Sequence, residues 1–406
     1  MSIFEPQTYS VDWESAVVDK LDRCVDSERL TGFAGMLHKE FDLPIQTDWN
    51  AIEFALGVNS SFAQLWDRVQ QVTDRASQVF REYDLDIFPL GSHPTEPMFF
   101  GAHVHVGTIH DESAAIHLAN CVTRYLPAFA ALAANSPASH ERKGEFKSYR
   151  VRHSARWAST PTFPRDPEVT QETWGTDVLP KLYGAPTIEI RVMDSASSRR
   201  LLAEMATFVA AFVHHVGTRM EKRNVTKDEY REYLNNRWTA ARYGLQATFA
   251  WDGKPRPVTE ILDEMLDSCA AELQALGVDR SDFGMIDAML RKRVCQADYL
   301  RDLVERYPDP FQLASVCGKL LRQWDIFDEY LDTAPALEPC PALDNETILA
   351  EHLDWVGDGT HFYHLRYPMW YSPSLSDELI AQMVERGLIS REVTPNRGTL
   401  LHRTDR

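Results

Sequence analysis

Five stretches in the first half of the chain show the alternation of apolar and polar residues that half-buried strands show. They are TYSVDWESAVV, AIEFALG, LDIFPLG, MFFGAHVHVGT and TIEIRVMD. Apolar residues at helical spacing predict amphipathic helices between and after these strands. The helices are expected at about 60–83, 111–135, 197–223, 226–246, 257–275, 279–306 and 311–331. Strands and helices mixed in this uneven way predict an α+β fold, with helices covering one face of a largely antiparallel sheet.

Four of these strands carry charged or imidazole side chains on one face and apolar side chains on the other. Because successive residues of a strand alternate between faces, residues two positions apart lie on the same side. The residues on the polar face are Asp12 and Glu14, Glu53, His103 and His105, and Glu189 and Arg191. A single such residue is more often solvated than functional. Four strands with the same property predict a shared site.

The residue types on this face indicate a cation site. Several carboxylates with an imidazole would repel one another unless cations lay among them, and buried charges need partners or metals. Hard oxygen ligands with little sulfur favour magnesium or manganese over zinc.

The stretch HERKGEFKSYRVRHSARW is strongly basic within an acidic protein. Its cations are Arg142, Lys143, Lys147, Arg150, Arg152 and Arg156. Arginine forks match phosphate oxygens, so beside a carboxylate–metal face this stretch predicts a phosphate clamp, with a solvated loop as the alternative. No P-loop and no dinucleotide-binding glycine motif occurs in a strand–helix context.

The amino-acid composition indicates which classes of partner the protein is suited to bind. The 406 residues include 42 basic and 60 acidic ones, a net charge of −18, which argues against broad binding to nucleic acid or anionic membranes. The six cysteines are scattered, and neither a secretory signal nor a 20-residue apolar span is visible, so we expect reduced thiols and a cytoplasmic location. A Pro/Ala-rich linker at 332–344 divides a catalytic domain, 1–331, from a C-terminal extension of unknown role, 345–406.

An ordered set of motifs resembles the type 2 glutamate–cysteine ligase family of carboxylate–amine ligases. The motifs are SVDWES, AIEFALG, GSHP, GAHVHVG, ANSP, FKSYR, TIEIRVMDS and NRWTAARYGL, from about residue 8 to about residue 325. The resemblance implies a glutamine-synthetase-like fold, in which a curved antiparallel sheet lines an active-site funnel. It also implies ATP and Mg²⁺ or Mn²⁺ as cofactors, small-molecule substrates, and an architecture that often forms homodimers. The implied reaction joins a carboxylate, typically that of glutamate, to an amine through an acyl phosphate.

Roles carry over by motif. The resemblance implies that the metal ligands are Asp12, Glu14, Glu53, His103 and Glu189. Arg191 and Arg150 are the implied catalytic residues, in contact with the transferred phosphate or with substrate. Nucleotide contacts are expected at His105, Arg150, Arg156 and Arg242.

The chain departs from the family pattern at its first acidic motif. Asp12 stands where members usually have Glu, and Trp13 replaces an acidic residue. We expect Trp13 to face the apolar side of its strand. Two other functions remain open: a nucleotide-binding member without catalysis, and a zinc metallohydrolase that uses the His103–His105 pair.

Overall fold

The structure is a computed structural model that describes most of the first 344 residues and parts of the remainder. The described ranges are 4–109, 111–140, 143–154, 176–181, 186–220, 224–321, 324, 326–344, 346–348, 350–351, 360–361, 380–394 and 398–404.

An open antiparallel sheet of seven strands forms the centre of the molecule. Its strands are β1 (Phe4–Val18), β2 (Ile45–Asp48), β3 (Ala51–Ala55), β4 (Asp86–Phe88), β5 (Ala102–Ile109), β6 (Val178–Lys181) and β7 (Thr187–Ile190). The order is β2-β3-β1-β5-β7-β6, and β4 pairs with the end of β1. Every neighbouring pair is antiparallel, so the predicted α+β fold with a largely antiparallel sheet is confirmed.

The two faces of this sheet differ as the alternation predicts. Val11, Val104 and Ile188 are fully buried in the main hydrophobic core. Trp13 is 1% exposed and stacks on Phe54 with ring centroids 5.2 Å apart, which confirms that it faces the apolar side.

Besides helical stretches at 346–348, 350–351 and 380–385, the described part of the chain contains thirteen helices around the sheet. They are α1 (Ser27–Phe41), α2 (Phe62–Glu82), α3 (Glu112–Val122), α4 (Leu126–Ala133), α5 (Tyr149–His153), α6 (Arg199–Arg219), α7 (Lys227–Tyr243), α8 (Val258–Ser268), α9 (Ala270–Ala275), α10 (Gly284–Lys292), α11 (Gln296–Arg306), α12 (Pro310–Leu321) and α13 (Ile326–Thr333). Helix α6 packs on β1 and β5, where the Tyr9 hydroxyl lies 2.9 Å from Thr207 Oγ1. The apolar face of the sheet is therefore covered and its polar face is left for chemistry.

Helix α6 is also long and apolar enough to cross a membrane by length and composition alone. In the structure, 83% of its most apolar window is buried within the protein.

Four predicted helices are interrupted, and the one expected at 311–331 becomes α12 and α13. The one expected at 111–135 becomes α3 and α4, joined by a 3₁₀ turn at Thr123–Tyr125. The one expected at 279–306 breaks at Arg293, whose φ of 56° is left-handed and ends α10. The one expected at 257–275 divides at Cys269 into α8 and α9.

The segment 334–344, which falls in the predicted linker, has no regular secondary structure but is hydrogen-bonded to earlier parts of the chain. The Leu337 N–H donates to Lys292 O (2.8 Å), and Gln246 Nε2 donates to Glu338 O (2.8 Å). Beyond it, β10 (Thr360–His361), β11 (Ile389–Thr394) and β12 (Gly398–Arg403) form a second antiparallel sheet in the order β10-β12-β11. A shorter hairpin, β8 (Thr248–Trp251) with β9 (Lys254–Pro257), follows α7.

Candidate active site

The register of the central strands brings the predicted polar residues onto one face. Glu14 lies opposite Glu53, and Asp12 lies opposite His103. His105 lies opposite Glu189 on the next strand. Because directly opposed residues of an antiparallel pair share a face, the site extends across β3, β1, β5 and β7.

Three of these side chains converge closely enough to share a metal ion. One carboxylate oxygen from Glu14, one from Glu53 and one ring nitrogen of His103 lie within 4.8 Å of one another. All three residues are buried. Burial raises the pKa of the Glu14 carboxyl to about 7, with Arg150 acting in the opposite direction. Burial, reinforced by the charge of Asp12, raises the pKa of Glu53 to about 7 as well, and burial lowers the pKa of His103 well below its ordinary value.

Hydrogen bonds fix one oxygen of each of these two glutamates. The Gly101 N–H donates to Glu14 Oε2 at 2.6 Å. Gln46 Nε2 donates to Glu53 Oε1 at 2.6 Å. The carboxylates are thereby held in fixed orientations before any ligand arrives.

The carboxylate of Glu189 indicates whether the site suits a cation. Its Oε1 lies 3.5 Å from His103 Nδ1 and 3.8 Å from His105 Nε2. Its Oε2 is buried and has no hydrogen-bond partner among the described residues. A buried, unpaired carboxylate oxygen is costly, and a divalent cation would satisfy it. The oxygen-rich donor set therefore fits Mg²⁺ or Mn²⁺.

Asp12 pairs with His105. Its Oδ2 lies 2.9 Å from His105 Nε2, and His105 Nδ1 lies 3.3 Å from Thr187 Oγ1. The structure thus places Asp12 beside His105 on the same face as the cluster of Glu14, Glu53 and His103. Asp12 as a metal ligand stays a prediction.

Arg150 and Arg191 border the cluster. Arg150 Nη2 donates to Arg191 O at 3.0 Å and lies 3.4 Å from His103 Nε2, while Nη1 donates to Val192 O at 3.3 Å. Arg191 Nη1 contacts Glu189 Oε1 at 3.3 Å. Two guanidinium groups therefore lie next to the carboxylates, where an anionic ligand would need them.

The other basic residues have separate partners. Lys147 is fully buried and pairs with Asp298 Oδ1 at 2.5 Å, and Arg152 lies over the ring of Phe146 at 4.7 Å. Arg242 Nη1 donates to Glu145 O at 2.8 Å, and its Nε lies 3.4 Å from Glu351. Of the predicted clamp, the structure brings Arg150 to the site, engages Lys147 and Arg152 elsewhere, and pairs the backbone of Lys143 with that of Ala138. Arg242, which is predicted as a nucleotide contact and not as part of the clamp, is also engaged elsewhere. Arg142 and Arg156 lie outside the described residues.

Two buried groups near the site have no role in the sequence prediction. Asp194, four residues after Ile190, accepts hydrogen bonds from Ser136 and Ser148. Asp177 accepts two hydrogen bonds from Arg237, at 2.6 and 2.9 Å. The sequence signals were weak: Asp194 ends the TIEIRVMD motif and Arg237 lies in NRWTAARYGL, but neither alternates with the face residues.

The histidine pair that would favour a zinc hydrolase has carboxylate neighbours. Two further histidines on α6 lie elsewhere: His214 is fully buried, and His215 Nδ1 lies 3.3 Å from Glu272. Among the described residues, neither joins the cluster around His103.

The site combines an acidic, imidazole-containing face of an open antiparallel sheet with adjoining arginines, a combination that suits the binding of cations together with an anionic ligand. A family model for glutamate-cysteine ligase family 2 matches residues 95–173 and 168–317, which together cover more than half of the chain. The chain therefore belongs to this family, and the resemblance inferred from the motifs is confirmed.

Curated relatives and solved structures agree with that assignment. The chain is 32% identical over 235 residues to putative glutamate–cysteine ligase 2 from Paraburkholderia xenovorans and equally to that from Paraburkholderia phytofirmans. Each match covers 51% of this chain and 60% of the relative.

Two solved structures have the same fold. A bifunctional glutathione synthetase from Pasteurella multocida superposes with a TM-score of 0.56 at 13% identity, over 90% of this chain and 57% of that one. A glutamate–cysteine ligase from Francisella tularensis, in complex with AMP, superposes with a TM-score of 0.54 at 12% identity, over 89% of this chain and 97% of that one. These likenesses confirm the glutamine-synthetase-like fold class.

Proposed function

We propose that the protein is an ATP-dependent carboxylate–amine ligase that forms an amide bond with the γ-carboxylate of glutamate. The observation that carries the proposal is the buried convergence of Glu14, Glu53 and His103, with the unpaired Glu189 Oε2 beside them. Membership of the family supports the reaction class. The AMP bound to the related Francisella tularensis ligase supports a nucleotide substrate.

Each group has a task in this reaction. Glu14, Glu53, His103 and Glu189 would hold Mg²⁺ or Mn²⁺, which supplies charge neutralisation between ATP and the attacking carboxylate. Arg191 and Arg150 stabilise negative charge on the phosphoryl group during its transfer. The substrate carboxylate attacks the γ-phosphorus, ADP leaves, and an acyl phosphate results. The amine then adds to the acyl carbon, loses a proton, and expels phosphate to give the amide.

We propose His105 as a contact to the nucleotide phosphates. Both of its ring nitrogens have partners in the structure, Asp12 Oδ2 at 2.9 Å and Thr187 Oγ1 at 3.3 Å. A phosphate oxygen that accepts an N–H from this ring would therefore replace one of these contacts, and the longer one to Thr187 is the weaker.

The decisive experiment measures phosphate release from ATP and Mg²⁺ with L-glutamate and pooled amines, and identifies the product by mass spectrometry. Release that needs both a carboxylate and an amine, with a condensed product, is the expected result. ATP binding without release under any mixture would favour the non-catalytic member. The absence of ATP binding, together with tightly bound zinc, would favour the hydrolase.

Site variants connect the activity to these residues. Glu189→Gln and His103→Gln are expected to abolish phosphate release and to weaken Mn²⁺ binding, measured by calorimetry, while the melting curve stays cooperative. Glu204→Gln is the matched control, because Glu204 is an equally buried carboxylate on α6 that binds Arg200 at 2.7 Å. Normal turnover by both site variants would contradict the assignment.

A further inference from the structure

Four short motifs away from the metal cluster meet at one buried carboxylate. Asp194 closes the TIEIRVMD motif and is 1% exposed. Around it lie Gly91 of GSHP, Asn135 and Ser136 of ANSP, and Ser148 of FKSYR. Segments spread from residue 91 to residue 194 of the chain therefore share a single hydrogen-bonding centre.

Both oxygens of Asp194 are occupied. Oδ2 accepts from Ser136 Oγ at 2.6 Å and from the Asn135 N–H at 2.8 Å. Oδ1 accepts from Ser148 Oγ at 2.9 Å. Each serine hydroxyl has one hydrogen, so donating it to the carboxylate directs the oxygen lone pairs of both serines elsewhere.

Those lone pairs face the first turn of α5. Ser136 Oγ accepts from the Arg150 N–H at 3.2 Å, and Ser148 Oγ accepts from the Val151 N–H at 3.0 Å. Ser148 is the N-cap of α5 and Arg150 is the second residue of that helix. The carboxylate thus orients two hydroxyls that bind two successive backbone amides, one of them that of Arg150.

The carboxylate itself cannot shift easily. A β-carbon on Gly91 would lie 2.7 Å from Asp194 Cγ, so the backbone of GSHP packs directly against the carboxyl group. Asn135 Nδ2 donates to Ser195 O at 2.7 Å and holds the neighbouring loop. The negative charge also acts on the guanidinium of Arg150, since each alters the pKa of the other.

We propose that Asp194 is a positioning residue for Arg150, acting through the hydroxyls of Ser136 and Ser148 and through its opposite charge. The effect on activity rests on the proposed function, in which Arg150 contacts the transferred phosphate or the substrate. The placement of Arg150 by Asp194 does not rest on it.

An asparagine amide at position 194 cannot accept the same hydrogen bonds as the aspartate carboxylate. Asp194→Asn leaves one acceptor oxygen and introduces an NH₂ donor that faces either a serine hydroxyl or the Asn135 N–H. A displacement of about 1 Å in a positioning group costs about 100-fold, so we expect Asp194→Asn to lower kcat/KM by about 10- to 100-fold. Ser136→Ala and Ser148→Ala remove one connection each and should cost less.

The test compares kcat and KM for ATP-dependent phosphate release in wild type, Asp194→Asn, Arg150→Lys and the double variant. Asp194→Asn is expected to change the same parameter, kcat or KM, that Arg150→Lys changes. Because the two residues act as a unit, the double variant should lose no more than about threefold beyond Arg150→Lys alone. Glu204→Gln, which neutralises a buried carboxylate bound to Arg200 and to the Ile286 N–H, should stay within about threefold of wild type.

Any of three results overturns the proposal. The first is that the losses of the two single variants multiply in the double variant. The second is that Asp194→Asn changes kcat where Arg150→Lys changes KM, or the reverse. The third is that Glu204→Gln loses as much activity as Asp194→Asn. If Asp194→Asn does not fold, Ser136→Ala and Ser148→Ala undergo the same comparison.

Hydrogen exchange separates this inference from the proposed function. If wild type releases no phosphate with any mixture, the proposed function fails, and exchange of the Arg150 and Val151 amides decides the inference. Acceleration of about tenfold or more in Asp194→Asn but not in Glu204→Gln supports it. Unchanged exchange overturns it.

Discussion

Gly101 is closely surrounded by the side chains of the site. Its N–H binds Glu14 Oε2 at 2.6 Å, and its carbonyl accepts from the Glu14 N–H at 2.9 Å. A β-carbon there would lie 2.3 Å from Arg150 Nη2 and 2.8 Å from His103 Nε2. Only a residue without a side chain lets the glutamate, the histidine and the arginine meet.

We therefore predict that Gly101→Ala disables the site and leaves the fold. The added methyl must displace the end of Arg150 and the ring of His103. Overpacking of this kind lowers the free energy of unfolding by about 1–3 kcal/mol. Mn²⁺ affinity and phosphate release should both fall by about 100-fold, since positioning errors of about 1 Å have that effect. Calorimetry and thermal melting provide the measurements.

Gly35→Ala is the control for this substitution. Gly35 lies in α1, and nothing would lie within 4 Å of a β-carbon added there. Alanine in a helix interior is favoured by about 0.5–1 kcal/mol, so this variant should be as stable as wild type or more so. Equal losses of Mn²⁺ affinity in both variants would contradict the steric explanation.

At the scale of elements, the strands with charged faces were predictable and the edges of the sheet were not. Alternation in β1, β3, β5 and β7 fixed which residues share a face, because the strand period is two. The edge strands β2 and β6 have four residues each, and β6 contains Pro180, so neither offers a pattern long enough to recognise. Their formation depends on hydrogen bonds from β3 and β7.

Helix α1 was missed for a related reason. Gly32 and Gly35 lower its intrinsic helix propensity, while its stability comes from burying Leu30, Phe33 and Leu37 against the rest of the core. The candidate site divides in the same way. Its acids and imidazoles could be read from strand alternation, whereas Asp194 and Asp177 act through contacts between segments far apart in sequence.

The Asp177–Arg237 pair connects three elements behind the site. Arg237 Nη1 also donates to Val151 O in α5 at 2.6 Å, and the Arg191 N–H donates to Asp177 O at 2.8 Å. The Tyr233 hydroxyl donates to Asp177 Oδ2 at 2.6 Å. One ion pair thereby joins α7 to α5 and to the strand end that carries Arg191.

Removal of one partner of the Asp177–Arg237 pair should strongly destabilise the folded protein. Arg237→Met leaves the buried Asp177 carboxylate without its cation, which costs about 3–5 kcal/mol in the free energy of unfolding. Urea denaturation measures it, and Arg237→Met combined with Asp177→Asn should cost less than the sum of the two single changes. Arg75→Met, which removes a surface pair with Glu40, should leave stability unchanged. Equal losses at positions 237 and 75 would contradict the importance of burial.

For the molecule as a whole, the sheet separates two electrostatic environments. Helix α6, which covers the apolar face, also contains a titratable residue, His214, that is fully buried. Burial lowers the pKa of His214 to about 4, with Glu272 opposing the shift, and burial likewise lowers the pKa of His93 to about 4. Both imidazoles are therefore neutral in the folded protein near pH 7.

These two histidines should make stability fall on acidification. The unfolded chain takes up a proton at each near pH 6.5, but the folded protein does so only near pH 4. Each contribution is complete above pH 6.5 and is lost as the pH falls towards 4. On the polar face, Glu14 and Glu53 act in the opposite sense, because a raised carboxyl pKa makes the folded state gain protons first.

Comparison with a variant isolates the histidine effect from these glutamates. The free energy of unfolding of wild type minus that of His214→Gln should fall by about 2 kcal/mol from pH 7.5 to pH 5. Only wild type has a residue at 214 that is protonated on unfolding. Urea denaturation at each pH measures the difference, and Glu14 and Glu53 cancel since both proteins contain them. His93→Gln should give a change of the same sign. Parallel stability curves for wild type and both variants would show that these imidazoles are not held neutral by burial.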